Sequence, residues 1–551
     1  MAVVAARQRH RVHATDLQTA GVREAIGRML VGDVIARAVR RYGDQVALEG
    51  PDGRRTFAQV GERVGALGAG LRRLGLAAGD RVLDLQTNQV TYIETDLALA
   101  RSGLVRVALN YRLRPADWEY IADDCGARAL IYDARFADAS AGLRSGMDHV
   151  VVIGDGPGIP YEKLVADSLD GRNGEAGSPE DLVSLNYSSG TTGRPKGAMR
   201  THRNRLASLR NMLTDVLPAK PGADDVWIHA GPVTHTSGLF TLPYFAYGAR
   251  QLILPEFDPA AVLDAIEHRG GTATALVPTM VARLLALPDC TPDRTRGLRM
   301  LGYAGAPMAP DQIRQAYERI TVNLVQYYGL VEAIPPVTVL DAADHARGLA
   351  GEEHFLSSAG QACLAVDLWV VDDEGLPLPA GTVGEVVTRG EHVMEGYWRR
   401  ARELSVSGRE TTRDAAEVKS IANGTLHTGD LGRLDENGYL YLVDRKGDMI
   451  ISGGYNIYPR EIEDVIASVP GVHEVAVVGL ADPEWGERVT ALYTVHQGAT
   501  VTTEAILERC RAGLASYKKP KDVRQVGAFP LNSTGKIAKK ALRERLEAGE
   551  L

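Results

Sequence analysis

The sequence predicts an α/β protein in two parts, a large multi-subdomain N-terminal domain with mixed sheets and helices and a small α/β C-terminal domain. Three observations carry that reading. Apolar β-rich runs alternate with amphipathic helical stretches along most of the chain. Its 551 residues exceed what one ordinary core organises. Near residue 445 the texture changes: VDRKGDM forms a short charged link, and the residues after it have a small α/β pattern of their own.

In chain order, RALIYD at 128–133 and HVVVIG at 149–154 read as strands. Residues 170–180, DGRNGEAGSPE, are a solvated loop that leads into the strand-like DLVSLNY at 181–187. RQLILPEF at 250–257 is another strand, and DPAAVLDAIEHRGG at 258–271 is a helix whose apolar period ends at paired glycines. Beyond the link, VAVVGL at 475–480 and VTALYTV at 489–495 are strands of the second part.

A hydrophobic fraction of 45% and a charged fraction of 24% are those of a globular protein. The net charge of −8 argues against general nucleic-acid binding. Cys125, Cys290, Cys363 and Cys510 are far apart and lack metal-ligand spacing, so they read as reduced core residues. The opening MAVVAARQRHRVHAT has too short an apolar run for a signal peptide, and nothing later approaches a membrane span, so a cytoplasmic location is expected.

Residues 187–199, YSSGTTGRPKGAM, are the most informative stretch. Gly190 and Gly193 let backbone amides approach an anion, Ser188, Ser189, Thr191 and Thr192 add hydroxyl donors, and Lys196 supplies a fixed positive charge. A polyphosphate is the expected guest. The spacing is not that of a Walker A loop, because Gly197 occupies the place of the magnesium-binding hydroxyl. A flexible linker would explain the Gly and Ser content but not the ordered Pro-Lys-Gly exit.

This tract resembles the AMP-binding signature of the adenylate-forming superfamily, in its acyl-CoA synthetase branch. Further motifs of that family follow in order: ALNYRLRP at 108–115, PVTHTSG at 232–238, GYAGAPM at 302–308, YYGLVE at 327–332, HTGDLGRLDENGYLYLVDRKGDMI at 427–450, SGGYNIYPREIE at 452–463 and NSTGKIAKKAL at 532–542. The resemblance implies a domain of residues 1–444, a hinge at 445–447 and a mobile lid of 448–551. It implies that Tyr328 offers a flat face to adenine beside a backbone wall of Gly305, Ala306 and Pro307, with Tyr327, Gly329, Val331 and Leu442 completing the nucleotide site. Asp430 would accept from the ribose hydroxyls and Arg445 would donate to the same sugar. Glu332 matches a magnesium-binding carboxylate. His235 matches a residue that lines the acyl pocket and gates the thiol tunnel. Lys536 stands within a local excess of Lys and Arg and matches the lysine that drives adenylation.

These parts imply a two-step reaction using ATP, Mg²⁺ and coenzyme A. A carboxylate attacks the α-phosphate to form an acyl-adenylate, the lid turns about Gly447, and Ser452, Gly453 and Gly454 make room for pantetheine. An acyl pocket of His235, Ala304, Gly305, Gly329, Leu330 and Ile334, without an acidic residue, points to a hydrophobic and bulky acid. Three departures qualify the pattern. Val331 stands where the family has Thr, Gly447 stands where it has Asp or Lys and so lacks a charged anchor, and the stretch from Gly396 to His427 is longer than usual, with Thr425 in an aromatic position. They raise the alternative of an enzyme that only forms the thioester from supplied acyl-AMP, working with a partner adenylating enzyme. A noncatalytic nucleotide-binding protein is the rival of another class. A second copy of the chain is a possible partner, and any carrier protein would be separate.

Overall fold

The computed structural model describes residues 29–169, 177–188, 195–398, 421–422, 424–452, 455–483, 485–496, 498–531 and 536–551. Nine strands form one sheet, running from Gln361–Ala362 through Ala333–Leu340, Leu324–Leu330, Met300–Tyr303, Ala273–Leu276, Val226–His229 and Arg250–Ile253 to the hairpin Val46–Gly50 and Gly53–Thr56. Its centre is parallel, because helices such as Pro259–Glu267 and Pro278–Leu285 carry the chain back between neighbouring strands. A second sheet of seven strands orders Ile159–Pro160, His149–Ile153, Ala129–Asp133, Arg81–Leu85, Val105–Ala108, Leu182–Ser188 and Lys196–Thr201.

Helices Val31–Tyr42, Phe57–Arg73 and Val90–Ser102 share one apolar cluster with Leu48 and Ile253 of the first sheet and Val82 and Ile131 of the second. Val90–Ser102 is buried nearly all round, Glu94 and Asp96 included. Charges in such a place need partners. Arg63 meets Glu94 at 2.8 Å, while Arg106 and Arg205 both pair with Asp96.

A third sheet, built on Asp367–Val371, Gly384–Arg389, Thr425–Leu434 and Leu440–Arg445, leans against the first. Ala359 N–H donates to the Leu440 carbonyl and Leu440 N–H to the Gly360 carbonyl, at 2.7 and 2.8 Å. Beyond it lies the small C-terminal domain. Strands Ile450–Ser452, Tyr455–Ile457, Val472–Asp482, Gly486–Val495 and Asp522–Gln525 form a sheet whose two apolar clusters draw only on residues from 450 onward.

Most of the predicted elements are present, the two strands of the C-terminal domain longer than predicted, at Val472–Asp482 and Gly486–Val495, and others shorter. The helix at 258–271 spans Pro259–Glu267, capped by the Asp258 carboxylate accepting from the amides of Ala260 and Ala261. The strand at 250–257 stops at Ile253, two residues before Pro255, which has no amide hydrogen for a ladder. All four cysteines are buried and free. Among the described residues no helix is long and apolar enough to cross a membrane.

Gly360, whose carbonyl accepts from Leu440 of the third sheet, is packed tightly against strand Ala333–Leu340 of the first. Its φ is +88°, and a Cβ there would lie 2.0 Å from the Val339 carbonyl carbon and oxygen. Gly360→Ala should therefore lower unfolding stability by about 3 kcal/mol or more in denaturant titrations. Gly447→Ala, at a site with no atom within 4 Å, should leave stability nearly unchanged; equal effects would contradict the packing described.

Candidate active site

Where parallel strands of the first sheet end, their following loops meet the third sheet. Strand Met300–Tyr303 delivers Ala304–Pro307, and strand Leu324–Leu330 delivers Tyr328 and runs on to Glu332. Tyr328 Oη donates to Asp430 Oδ2 at 2.6 Å, and Arg445 Nε lies 3.2 Å from Asp430 Oδ1. Asp430 and Arg445 are directly opposite each other across paired strands, which fixes that contact. Burial raises the Asp430 pKa, and Arg445 only partly offsets it. Leu442 packs in the same apolar cluster as the Tyr328 ring.

The C-terminal domain brings Lys536 to this point. Its Nζ is 3.9 Å from where a side chain on Gly305 would begin, and Gly305 has φ +87°, so a glycine suits both the backbone and the approach of the lysine. Solvent reaches the Lys536 side chain, yet the surrounding protein and then Arg445 lower its pKa from the ordinary 10.5, against the pull of Asp430. Tyr328, Asp430, Arg445, Gly305 and Lys536 thus converge from three parts of the sequence. Ala306 and Pro307 are exposed beside them.

Lys196 and Glu332 are brought together by a residue the sequence reading missed. The Lys196 ammonium sits 5.5 Å from the centre of the Tyr397 ring, and Tyr397 Oη donates to Glu332 Oε1 at 2.8 Å. Tyr397 bridges to Ala198, a local pairing across about 200 residues with no sequence signature. Ser189, Gly190, Thr191, Thr192 and Gly193 lie outside the described residues, as do the Ser188 side chain, Gly453, Gly454 and most of the long stretch after Gly396. Among the described residues no three His, Cys, Asp or Glu cluster as a metal cage. A single carboxylate such as Glu332 suits a hard cation whose other ligands are phosphate oxygens and water.

His235 Nε2 and Asn110 Nδ2 are 3.2 Å apart, so the ALNYRLRP and PVTHTSG motifs touch. Burial, and then Arg112 and Lys536, push the His235 pKa down to about 4, leaving a neutral imidazole near pH 7. Behind it is a cavity of about 100 Å³, several times what one ordered water needs.

The cavity departs from the expected acyl pocket. His235 and Ile334 line it; Ala304, Gly305, Gly329 and Leu330 do not. Ala304 is 6% exposed within the core, Leu330 packs against the same cluster, and Gly329 lies against Pro335. Nor is the wall free of charge: Asp96, Arg106, Arg200 and Arg205 line its inner part. They come from strands and helices outside the motif at 232–238, where no local pattern announces them. Tyr327 is also corrected. Adjacent strand residues face opposite ways, so with Tyr328 in the cleft the Tyr327 ring is 2% exposed and stands edge-on to Phe240 in the core.

The link is anchored after all. Lys446 Nζ lies 2.9 Å from Asp373 and 3.4 Å from Glu385, so the charge absent at Gly447 is supplied one residue earlier. Asp444 Oδ2 accepts from the Arg460 amide at 3.0 Å, tying the third sheet to helix Pro459–Ala467 of the C-terminal domain. Ser452 is buried. Val331 contributes its carbonyl, which accepts from Arg200 Nη2 at 2.8 Å.

A family profile described as "AMP-binding enzyme" matches residues 35–398, and one described as "AMP-binding enzyme C-terminal domain" matches residues 461–536. The chain belongs to the AMP-binding enzyme family. Its relatives are acyl- and aryl-CoA ligases: it is 35% identical over 496 residues to a feruloyl-CoA synthase of Amycolatopsis sp, covering 89% of this chain and 94% of that one. It is also 35% identical over 506 residues to the long-chain fatty-acid CoA ligase FadD13 of Mycobacterium tuberculosis, covering 90% and 94%. Among solved structures it is similar to ATP-bound MatB from Rhodopseudomonas palustris, with a TM-score of 0.82, 30% identity and coverage of 94% and 99%.

The motif resemblance assigns adenosine to the Tyr328–Asp430–Arg445 cluster. Asp430→Ala should weaken AMP binding about 10- to 100-fold by calorimetry, because a buried charge-assisted acceptor is lost and Arg445 is left without its partner. Tyr328→Phe, which keeps the ring and removes only the donor to Asp430, should have the smaller effect.

Proposed function

We propose that this protein joins a carboxylic acid to coenzyme A in two steps, through an acyl-adenylate made from ATP. The observation that supports this most is Lys536 seated at Gly305 within the field of Asp430 and Arg445, opposite the His235 end of the acyl cavity. In the first step an oxygen of the substrate carboxylate bonds to the α-phosphorus and the bond to pyrophosphate breaks. Lys196 and Lys536 offset the negative charge gathered there. Glu332 would hold a magnesium ion, which when bound neutralises phosphate charge.

The second step requires Lys536 to withdraw. Residues 445–447 serve as the hinge, and Ser452 then borders the thiol. The sulfur bonds to the acyl carbon, the carbon–oxygen bond to AMP breaks, and the thiol proton passes to solvent. The neutral imidazole of His235 can move aside without carrying a charge. Val331, which lacks a hydroxyl for the α-phosphate, favours the second reading, an enzyme that uses supplied acyl-AMP only.

Incubation with ATP, CoA and a panel of acids, followed by pyrophosphate and acyl-CoA measurement, separates these readings. Acid-dependent pyrophosphate release with thioester formation is expected. Thioester from synthetic acyl-adenylate alone would support the half-reaction, and nucleotide binding with no product would support a noncatalytic role. Lys536→Ala should slow adenylation about 100-fold or more while slowing thioester formation from acyl-adenylate far less. Because the ammonium must be protonated and its pKa is lowered, kcat/KM for ATP should hold at lower pH and fall as pH rises, before the 10.5 of an ordinary lysine. An alkaline limb unchanged in Lys536→Ala would contradict that role.

A further inference from the structure

The cavity behind His235 contains a guanidinium that its own carboxylates do not balance. Arg106 pairs with Asp84 at 2.5 Å and with Asp96 at 3.1 Å, and Arg205 closes on Asp96 from the other side. Those four charges satisfy one another. Arg200, from strand Lys196–Thr201, is a third guanidinium on the same wall. Its Nη2 donates to the Val331 carbonyl, its Nε is buried with no partner, and among the described residues no carboxylate lies within ion-pair distance.

Tyr92, from helix Val90–Ser102, and Thr234, from the loop before His235, share the wall, and the Arg106 guanidinium lies 4.3 Å from the centre of the Tyr92 ring. Buried charges are nearly always paired, so a guanidinium on a cavity wall with no carboxylate against it marks the place of an anion. Burial lowers the Arg200 pKa to about 10, Glu332 partly opposing it and Arg205 adding to it, so the group remains charged near neutrality. Glu332 itself is engaged by Tyr397 at the phosphate end.

We propose that the acid activated here carries a second carboxylate, which is held in the cavity by the Arg200 guanidinium. This rests on the acyl-CoA ligase reading above and replaces the hydrophobic acid expected from the sequence. An apolar tail or a ketone would leave the Arg200 charge without a counter-ion; a carboxylate supplies one. The network of Asp84, Asp96, Arg106 and Arg205 then serves as a fixed, neutral floor, and Arg200 reads the substrate.

The test compares acids of matched shape in the wild-type enzyme: adipate against hexanoate, and 4-carboxyphenylacetate against 4-methylphenylacetate and 4-acetylphenylacetate. In each set the dicarboxylate should have kcat/KM about tenfold or more above its partners. Arg200→Leu should abolish or invert that ratio, and Arg200→Gln, which removes the charge and keeps donors, should narrow it; if the leucine variant does not fold, the glutamine variant decides. A monoacid or the acetyl compound used as well as the dicarboxylate would overturn the inference, as would a ratio unchanged in the variants. If no acid gives product in any form, the ligase reading is what fails, and the same ranking read by calorimetry with the sulfamoyl-adenylate analogue of each acid decides the second-carboxylate inference.

Discussion

One buried carboxylate holds the site together. Asp430 accepts from Tyr328 on the first sheet, faces Arg445 on its own sheet, and lies in the field of Lys536 from the C-terminal domain. Taking an anion out of water is unfavourable, and the raised pKa of Asp430 records that penalty. What offsets it is the placement of donors from separate parts of the chain. This cluster therefore exists only when the first and third sheets are joined, a contact that the Ala359 and Leu440 amides help to hold.

The acyl end obeys the same rule on a larger scale. Helix Val90–Ser102 is buried between two sheets with Glu94 and Asp96 inside, and its charges are tolerated because Arg63, Arg106 and Arg205 reach them. Arg106 and Arg205 are engaged by Asp84 and Asp96, and Arg200 is the guanidinium left over on the same wall. The segment from Lys196 to Arg200 serves both places: the lysine lies beside Tyr397 and the arginine lines the cavity behind His235.

Local chemistry was legible in the sequence, and long-range pairing was not. Tyr328, Asp430, Arg445, Glu332 and Lys536 sit in motifs that single them out, and the structure gathers Tyr328, Asp430, Arg445 and Lys536 at one point. Strand 489–495 and the helix within 258–271 followed from the pattern of apolar residues. What escaped were contacts made across sheets. Tyr397 reaches Glu332 through a bridge to Ala198, and Lys446 anchors the link through Asp373 and Glu385. The charged cavity wall escaped for the same reason, since Asp96, Arg106 and Arg200 belong to elements that meet only in the fold. Tyr327 shows the opposite error: it was grouped with Tyr328 by motif, although neighbouring strand residues face apart.

That Lys536 is seated for the first half-reaction, before any thiol arrives, is tested most directly by exchange of labelled pyrophosphate into ATP in the absence of coenzyme A. Exchange that depends on an added acid, and that falls about 100-fold or more in Lys536→Ala, is the predicted result. No acid-dependent exchange in an enzyme that still converts synthetic acyl-adenylate to thioester would contradict it.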